Sequence, residues 1–371
     1  MEASYRNVND AFYGLVKDLH NGLLPTRKTP SRYGDVIQIT EPVLVTYRNP
    51  CERVLFNEAR DCNPFFHLYE ALWMLAGRRD VTPLAWYNSK MTEFSDDQEV
   101  FHGAYGYRWR KWFGYDQLDA IVEELKKTPT SRRVVLQMWD ATVEPPHPGL
   151  LTNGSNWSDP YKAVNGGKDV PCNTQAYFAI REALTIEPDG FSEQGTAVYT
   201  KFLDMTVCNR SNDMIWGMLG ANVVHFSVLQ EYLAARIGVS VGRYYQFTNN
   251  LHVYTERWTP AKWLEATYNR EYRDNVYPYP MVLDPDRFDV ECNMFVHLGY
   301  GNGLNDLLPT VWSNPFFPNV ALPMALAFRA HKERSYQEAL KWVESIHASD
   351  WRMACRQWIT RRQAKWEVKN A

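Results

Sequence analysis

The order of apolar patterns along this 371-residue chain predicts a mixed α/β (α+β) fold, a single domain over residues 1–371 that carries inserted loops. Strand-like runs rich in β-branched residues alternate with helix-period runs instead of being segregated. No internal repeat or low-complexity linker divides them. With 45% hydrophobic and 14% aromatic residues, including 14 Trp and 22 Tyr, the chain can bury one large core or two smaller ones and is too apolar for disorder.

Val8, Phe12, Leu15, Val16 and Leu19 recur at helical spacing and predict an amphipathic helix over residues 6–20. The chain then turns through Pro25 and Pro30, and β-branched runs such as Val36-Ile37-Gln38-Ile39 predict strands over 35–47 and 52–57. Asn63-Pro64 starts the next helix, because proline suits a first turn, and Gly77 stops it. That helix is apolar nearly all round, so Glu70 in its middle is costly unless paired. An aromatic loop holding Tyr105, Trp109 and Trp112 leads to a charged surface helix over 116–127 and a buried strand over 133–140. Residues 141–171 are rich in Pro, Gly and Asn and read as a long loop, more often functional or inserted than filler. Strands over 174–182 and 200–208 follow, then a helix over 222–237 that closes at Gly238. A strand over 241–248, a helix after it, a Pro-rich stretch over 277–323 and a helical region over 324–365 complete the order.

Lys and Arg number 40 against 43 Asp and Glu, a net charge of about −3. This excludes the dense basic surface of a nucleic-acid coat and leaves room for a local pocket that takes a small anion. The opening MEASYRNVND has no basic stretch followed by an apolar one, and no run approaches the ~18 apolar residues of a membrane span. A cytoplasmic protein with no direct nucleic-acid or membrane partner is expected. Cys51, Cys62, Cys172, Cys208, Cys292 and Cys355 are scattered, without CxxC or zinc spacing, so neither a disulfide framework nor a metal is expected. Each is then a buried small hydrophobe or a nucleophile.

Four segments carry chemistry. Asp169-Val170-Pro171-Cys172-Asn173-Thr174 sets a cysteine just before a strand, where a ligand could reach it; a buried thiol is the plain alternative. Asn209-Arg210-Ser211-Asn212-Asp213 puts a guanidinium, a hydroxyl, an amide and a carboxylate in a row, and Arg with Ser suits a phosphate as well as a surface ion pair. Arg132 and Arg133 enter an apolar strand and are hard to bury unless an anion neutralises them. His252 and Tyr254 in Leu251-His252-Val253-Tyr254 share one face if the segment is extended.

Seven segments in order, YEALWMLAG, GAYGYRWR, SRRVVLQMWD, VPCNT, NRSNDMIWG, GANVVHF and LHVY, resemble the thymidylate synthase superfamily over roughly residues 60–258. That superfamily includes thymidylate synthases and the phage deoxypyrimidine hydroxymethylases. The resemblance implies a mixed sheet flanked by helices, with two sheets packed back to back in a homodimer. It leaves the loops 141–171 and 183–199 as insertions and 270–371 as an extended C-terminal region. By motif, Cys172 resembles the nucleophile that adds to C6 of the pyrimidine. Glu70 resembles the carboxylate that organises water and proton transfer, and Tyr105 the tyrosine near C5. Arg210 and Ser211 resemble the phosphate site, and Arg132 and Arg133 the pair lent by the partner subunit. Asn222 holds the base-reading position and His252 with Tyr254 the sugar hydroxyl, while Arg32 and Asp213 complete the implied substrate set.

The implied reaction takes a methylene from 5,10-methylenetetrahydrofolate to C5 of dUMP or dCMP, without a metal. A thiolate must first add to C6, because C5 is otherwise a poor nucleophile. An exocyclic methylene results; hydride from the folate turns it into methyl, water into hydroxymethyl. Synthases follow the nucleophile with His, whereas Asn173 and Thr174 stand here. RSND and LHVY are nearer the hydroxymethylases, and WEVKNA does not match the apolar tail that closes a synthase site. A less sealed site admits water, so hydroxymethylation is expected and a divergent synthase or methylase is the alternative. The spacing from Asp213 to Asn222 is one residue longer than the family's, with Ala221 at the unshifted count. Asn222 is aligned because VVHFSVL continues a helix after it. An amide can face uracil or, flipped, cytosine, and uracil is modestly favoured. Outside the family, a cysteine hydrolase would use Cys172 with His252 but has no need of the arginines, and a non-catalytic nucleotide binder has no need of the cysteine.

Overall fold

Asn7 opens the first helix by accepting the N–H groups of Asn9 and Asp10 at 3.0 and 3.1 Å. The computed structural model describes residues 1–31, 34–144, 169–187, 196–265 and 271–370. Its strands are β1 (Glu2–Tyr5), β2 (Thr26–Ser31), β3 (Gly34–Ile39), β4 (Val43–Tyr47), β5 (Val135–Gln137), β6 (Asn173–Glu187), β7 (Thr196–Asn209), β8 (Asn212–Asp213), β9 (Ser240–Thr248) and β10 (Leu251–Tyr254). The helices are α1 (Val8–His20), α2 (Pro64–Leu75), α3 (Val81–Tyr87), α4 (Tyr105–Tyr107), α5 (Gln117–Lys127), α6 (Asn222–Ile237), α7 (Pro260–Glu265), α8 (Glu271–Asp274), α9 (Pro285–Leu298), α10 (Leu304–Leu307), α11 (Leu322–Lys332), α12 (Tyr336–Glu344) and α13 (Ser349–Asn370). One sheet has the order β1-β4-β9-β7-β6-β5 and the other β2-β3-β10-β8. Parallel pairs (β1 with β4, β7 with β9) and an antiparallel one (β4 with β9) make the larger sheet mixed, so the α/β class is as predicted.

The chain divides into two compact units. The first comprises Met1–Cys62, Leu118–Leu136 and Ala176–Asp286. Along β9, Tyr244, Gln246 and Thr248 are buried while Arg243 and Phe247 are exposed, the period-2 pattern of a sheet covered on one face. On the covered face α6 meets a bulge in β7 between Leu203 and Met205. The Gln230 amide of α6 donates to the Leu203 carbonyl at 2.7 Å and to the Arg243 carbonyl at 3.0 Å, bonding polar groups at the bulge and beside it.

The second unit comprises Asn63–Gln117, Gln137–Gln175 and Arg287–Ala371. Its core is α2, which Asn63 caps by accepting from Phe66 N–H and which buries ten of its twelve residues. Phe65 meets Phe328 of α11 and Trp358 of α13, each at 5.5 Å between centroids. Tyr69 stacks on Tyr87 at 4.4 Å and its hydroxyl donates to the Val296 carbonyl of α9 at 2.6 Å.

Several sequence expectations need correction. The strand expected over 35–47 is two strands in different sheets, broken at Glu41-Pro42. Residues 52–57 are not a strand. Val54 N–H donates to the Tyr272 hydroxyl, and Asn9 uses its amide to bond the Val54 carbonyl and the Phe56 N–H, so side chains take the place of a neighbouring strand. Pro30 lies within β2, which tolerates it at the sheet edge. The aromatic loop is helical, α4 running into a π-helical turn at Arg108–Trp112. The strand over 133–140 shrinks to β5. An additional strand, β10, stands between β9 and the helices that follow it (α7 and α8), and the Pro-rich stretch contains α9 and α10. Prolines at helix starts are compatible with helix, which is why that stretch was misread. Residues 145–168 and 188–195, most of the two loops taken as insertions, lie outside the described residues.

Candidate functional site

In the second unit Cys172 stands one residue ahead of β6, as expected, and is half-buried. The Tyr105 hydroxyl accepts Cys172 N–H at 3.0 Å and Asn173 N–H at 3.2 Å, so one phenol holds the backbone on both sides of the cysteine side chain. Burial pushes the Tyr105 hydroxyl well above its ordinary value, with nearby Cys172 adding to the shift and the two N–H bonds opposing it. Tyr105 owes its place to Gly106. A Cβ there would sit 2.0 Å from the Met74 carbonyl, and only glycine lets α4 approach α2 so closely. Glu70, on α2, is half-buried rather than enclosed.

Behind this segment lies a buried ion pair that sequence reasoning missed. Arg108 and Glu144 are both fully buried, with Arg108 Nη2 2.5 Å and Nη1 3.0 Å from the carboxylate oxygens. His102 Nε2 and Asp140 N–H also approach Glu144, each at 3.0 Å. Burial pushes Glu144 upward, but bonds from His102 and Arg108 outweigh it and hold the carboxyl below its usual range. Gly103 N–H donates to Asp169 at 2.7 Å, tying the segment before Tyr105 to the one before Cys172. An arginine inside the aromatic run GYRWR was the only hint of this pair in the sequence, and its partner lies 36 residues away.

Beside the cysteine, Asn173 is fully buried and, among the described residues, neither atom of its side-chain amide has a hydrogen-bond partner. An unpaired buried amide costs on the order of 1–3 kcal/mol.

In the first unit, Arg210 is exposed and Ser211 half-buried in the turn between β7 and β8. Asp213 accepts the N–H groups of Ile215 and Trp216 at 2.8 and 2.6 Å and caps the π-helical turn Met214–Ala221. Burial raises its pKa. His252 is in register with Asp213 across the parallel pair β8–β10, and burial lowers its pKa. The rings of His252 and Tyr254 meet edge to face at 5.5 Å, so the pair shares one face as the spacing predicts. Arg132 and Arg133 are exposed at the rim of a recess that includes Lys127 and Thr130. They are not buried in this chain, because β5 begins only at Val135. Arg32 lies outside the described residues.

Met214–Ala221 ahead of Asn222 is π-helical, its hydrogen bonds to i+5 taking up one residue more per turn than an α-helix does, and α6 starts at Asn222. The Asn222 amide donates to Asn212 Oδ1 at 3.0 Å. Exposed Trp216 carries the Arg60 guanidinium 4.4 Å and the Arg257 guanidinium 5.6 Å from its ring centroid. Neither Asn212 nor this cationic stack was assigned a role from the sequence. Asn212 was legible there only as one polar residue among five.

The thymidylate synthase family model matches residues 60–300, and this chain belongs to that family. Within it, the deoxyuridylate hydroxymethyltransferase of Pseudomonas phage M6 is 40% identical over 381 aligned positions, covering 99% of this chain and 95% of that protein. The deoxyuridylate hydroxymethyltransferase of Bacillus phage SP01 is 36% identical over 60% of this chain and 52% of its own length. The thymidylate synthase of Streptococcus sanguinis is 27% identical over 49% and 53%. Residues 270–371, unmatched by motif, are thus matched in part by the family and nearly throughout by the phage M6 protein. Among the described residues no cluster of His, Cys, Asp and Glu could hold a metal, and no helix is long and apolar enough to cross a membrane.

Proposed function

We propose that this chain is a deoxyuridylate hydroxymethyltransferase that moves a one-carbon unit from 5,10-methylenetetrahydrofolate to C5 of dUMP and completes the group with water. The observation that carries this reading is the 40% identity, over 99% of the chain, to a phage enzyme of that name. Asn173, in place of the synthases' histidine, is consistent with it.

Cys172 is the nucleophile. Its thiolate adds to C6 and makes C5 electron-rich, so that C5 can attack the methylene. Tyr105, on the backbone of the same cysteine, stays a neutral phenol whose O–H can orient a water that takes the C5 proton, and Glu70 organises the water that relays protons. The folate supplies a methylene at the oxidation level of formaldehyde. Trp216, flanked by Arg60 and Arg257, presents a ring face and two cations that fit a flat heteroaromatic body with a carboxylate tail. Loss of the C5 proton breaks the bond to the folate nitrogen, so tetrahydrofolate leaves and an exocyclic methylene remains; water adds to that carbon, the electron pair restores the C5–C6 double bond as the C6–S bond breaks, and Cys172 departs as thiolate. Arg210 and Ser211 take the phosphate, Asp213 and Asn222 face the base, and His252 with Tyr254 hold the sugar hydroxyl; Arg32 belongs to the phosphate set.

The working form is a homodimer in which Arg132 and Arg133 reach the neighbouring chain's phosphate. Their exposure supports this, as do the exposed Tyr177, Tyr199 and Phe247 on the strands of the larger sheet. Mixing inactive Cys172→Ser and Arg133→Ala proteins should restore part of the activity by subunit exchange, and no recovery argues against shared sites.

Product mass decides the reaction. dUMP should gain the elements of CH2O while tetrahydrofolate is released. A 5-methyl product, with dihydrofolate absorbance rising in step, would instead make the chain a divergent synthase.

A further inference from the structure

Asn222 is the residue that the proposed function assigns to reading the base, and the present inference rests on that assignment. What the amide reads depends on which way it points. Uracil offers a donor at N3 and an acceptor at O4, whereas cytosine offers an acceptor at N3 and a donor at its amine. An amide free to rotate satisfies both bases. Held one way, it satisfies only one.

We propose that Asn212 fixes the direction of the Asn222 amide and so determines which pyrimidine the site accepts. Asn222 Nδ2 donates to Asn212 Oδ1 at 3.0 Å, and Asn212 Nδ2 points in turn at the hydroxyl of Thr248, 3.5 Å away. Asn212 is 3% exposed, Asn222 8% and Thr248 fully buried, so water does not replace these partners. Turning Asn222 alone would set two carbonyl oxygens against each other. A turn that keeps every bond requires Asn222, Asn212 and Thr248 to change together.

The frame around Asn212 is rigid. Its backbone N–H donates to the Asn250 carbonyl at 2.9 Å, and Leu251 of β10 is its register partner. Gly217 lies over the amide, and a Cβ built there would fall 2.3 Å from Asn212 Oδ1. The absent side chain at 217 is thus the space the oxygen occupies. With one Nδ2 hydrogen committed to Asn212, Asn222 keeps its other N–H and its Oδ1, which has no partner among the described residues. One donor and one acceptor in a set order is what discrimination between the two bases requires. Asn212 acts through Asn222 and is therefore a positioning residue for specificity.

The test is kcat/KM for dUMP and for dCMP on the full-length enzyme with 5,10-methylenetetrahydrofolate, compared across four variants. Asn212→Ala removes the acceptor, and Gly217→Ala displaces it while leaving the Asn212 side chain in place to move. Each should shrink the dUMP-to-dCMP ratio by about tenfold or more, the worth of one lost orienting hydrogen bond. Asn212→Asp retains an oxygen acceptor and should keep the wild-type ratio to within about threefold. Asn222→Asp tests the underlying assignment and should move the preference toward dCMP. Should Asn212→Ala not fold, Gly217→Ala decides alone, because the crowded atom is the end of a side chain that can swing aside. An unchanged ratio, or an equal loss on both nucleotides, overturns the role of Asn212 if Asn222→Asp still shifts the preference. If Asn222→Asp leaves the ratio unaltered, it is the base-reading assignment that fails.

Discussion

The two units hold their reactive segments by different means. In the second, the backbone around Cys172 hangs on a phenol, and behind that lies a fully buried Arg108–Glu144 pair that also engages His102 and the Asp140 N–H. In the first, neutral groups do the corresponding work: the amides of Asn222 and Asn212, the Thr248 hydroxyl, and Gln230 at the β7 bulge. A buried charge pair resists the loss of either member, because the remaining ion is left without solvent. A chain of amides is cheaper to bury and has direction, since each amide has a donor end and an acceptor end. The difference suits the roles proposed above: a cysteine held still by charge, and an amide whose direction is set by its neighbours.

The largest effect should come from the nucleophile itself. Cys172→Ser should reduce turnover by roughly three orders of magnitude or more, since hydroxyl is a far weaker nucleophile, while nucleotide binding measured by calorimetry survives. Retention of more than a few per cent of the wild-type rate would show that the cysteine frame serves another purpose.

Breaking the charged frame comes next. Arg108→Ala strands Glu144 at zero exposure and should cost about 3–5 kcal/mol in chemical denaturation. The double change Arg108→Met with Glu144→Gln should cost less than Arg108→Ala alone. If the single variant proves as stable as wild type, the ion pair does not hold this unit together.

Smallest is a pH effect confined to the second unit. Burial, with Arg334, Arg362 and Lys332 near by, pushes His331 down to about 4 from an ordinary 6.5. Below 6.5 the unfolded chain takes up a proton that the folded one refuses, so this residue's contribution is intact at pH 7 and declines as pH falls toward 4. His331→Gln should therefore lose less thermal stability than wild type between pH 7 and 4, as read by the difference in Tm. Parallel declines in the two proteins would place the acid sensitivity elsewhere.

Much of this was readable from local pattern. The helix over residues 6–20, the Asn63-Pro64 start, the strand after Cys172 and the His252–Tyr254 face all depend on spacing and caps, which neighbouring residues decide among themselves. The seven family motifs are likewise local strings. Misreadings fell where distant side chains or sheet membership settled the outcome. Residues 52–57 have strand character but are bonded by Asn9 and Tyr272, and Glu41-Pro42 divides a β-branched run between two sheets. The partners of Arg108 and of Asn222 are 36 and 10 residues away, beyond the reach of any cap or i, i+4 pair. So the sequence by itself determined the class of fold and the family, because these rest on contiguous residues and on patterns that neighbouring side chains decide among themselves. The tertiary structure alone decided that a π-helical turn leads into Asn222, and that Asn212 and Gly217 meet beside its amide. Burial and hydrogen-bond direction belong to the packed chain and not to any segment of it.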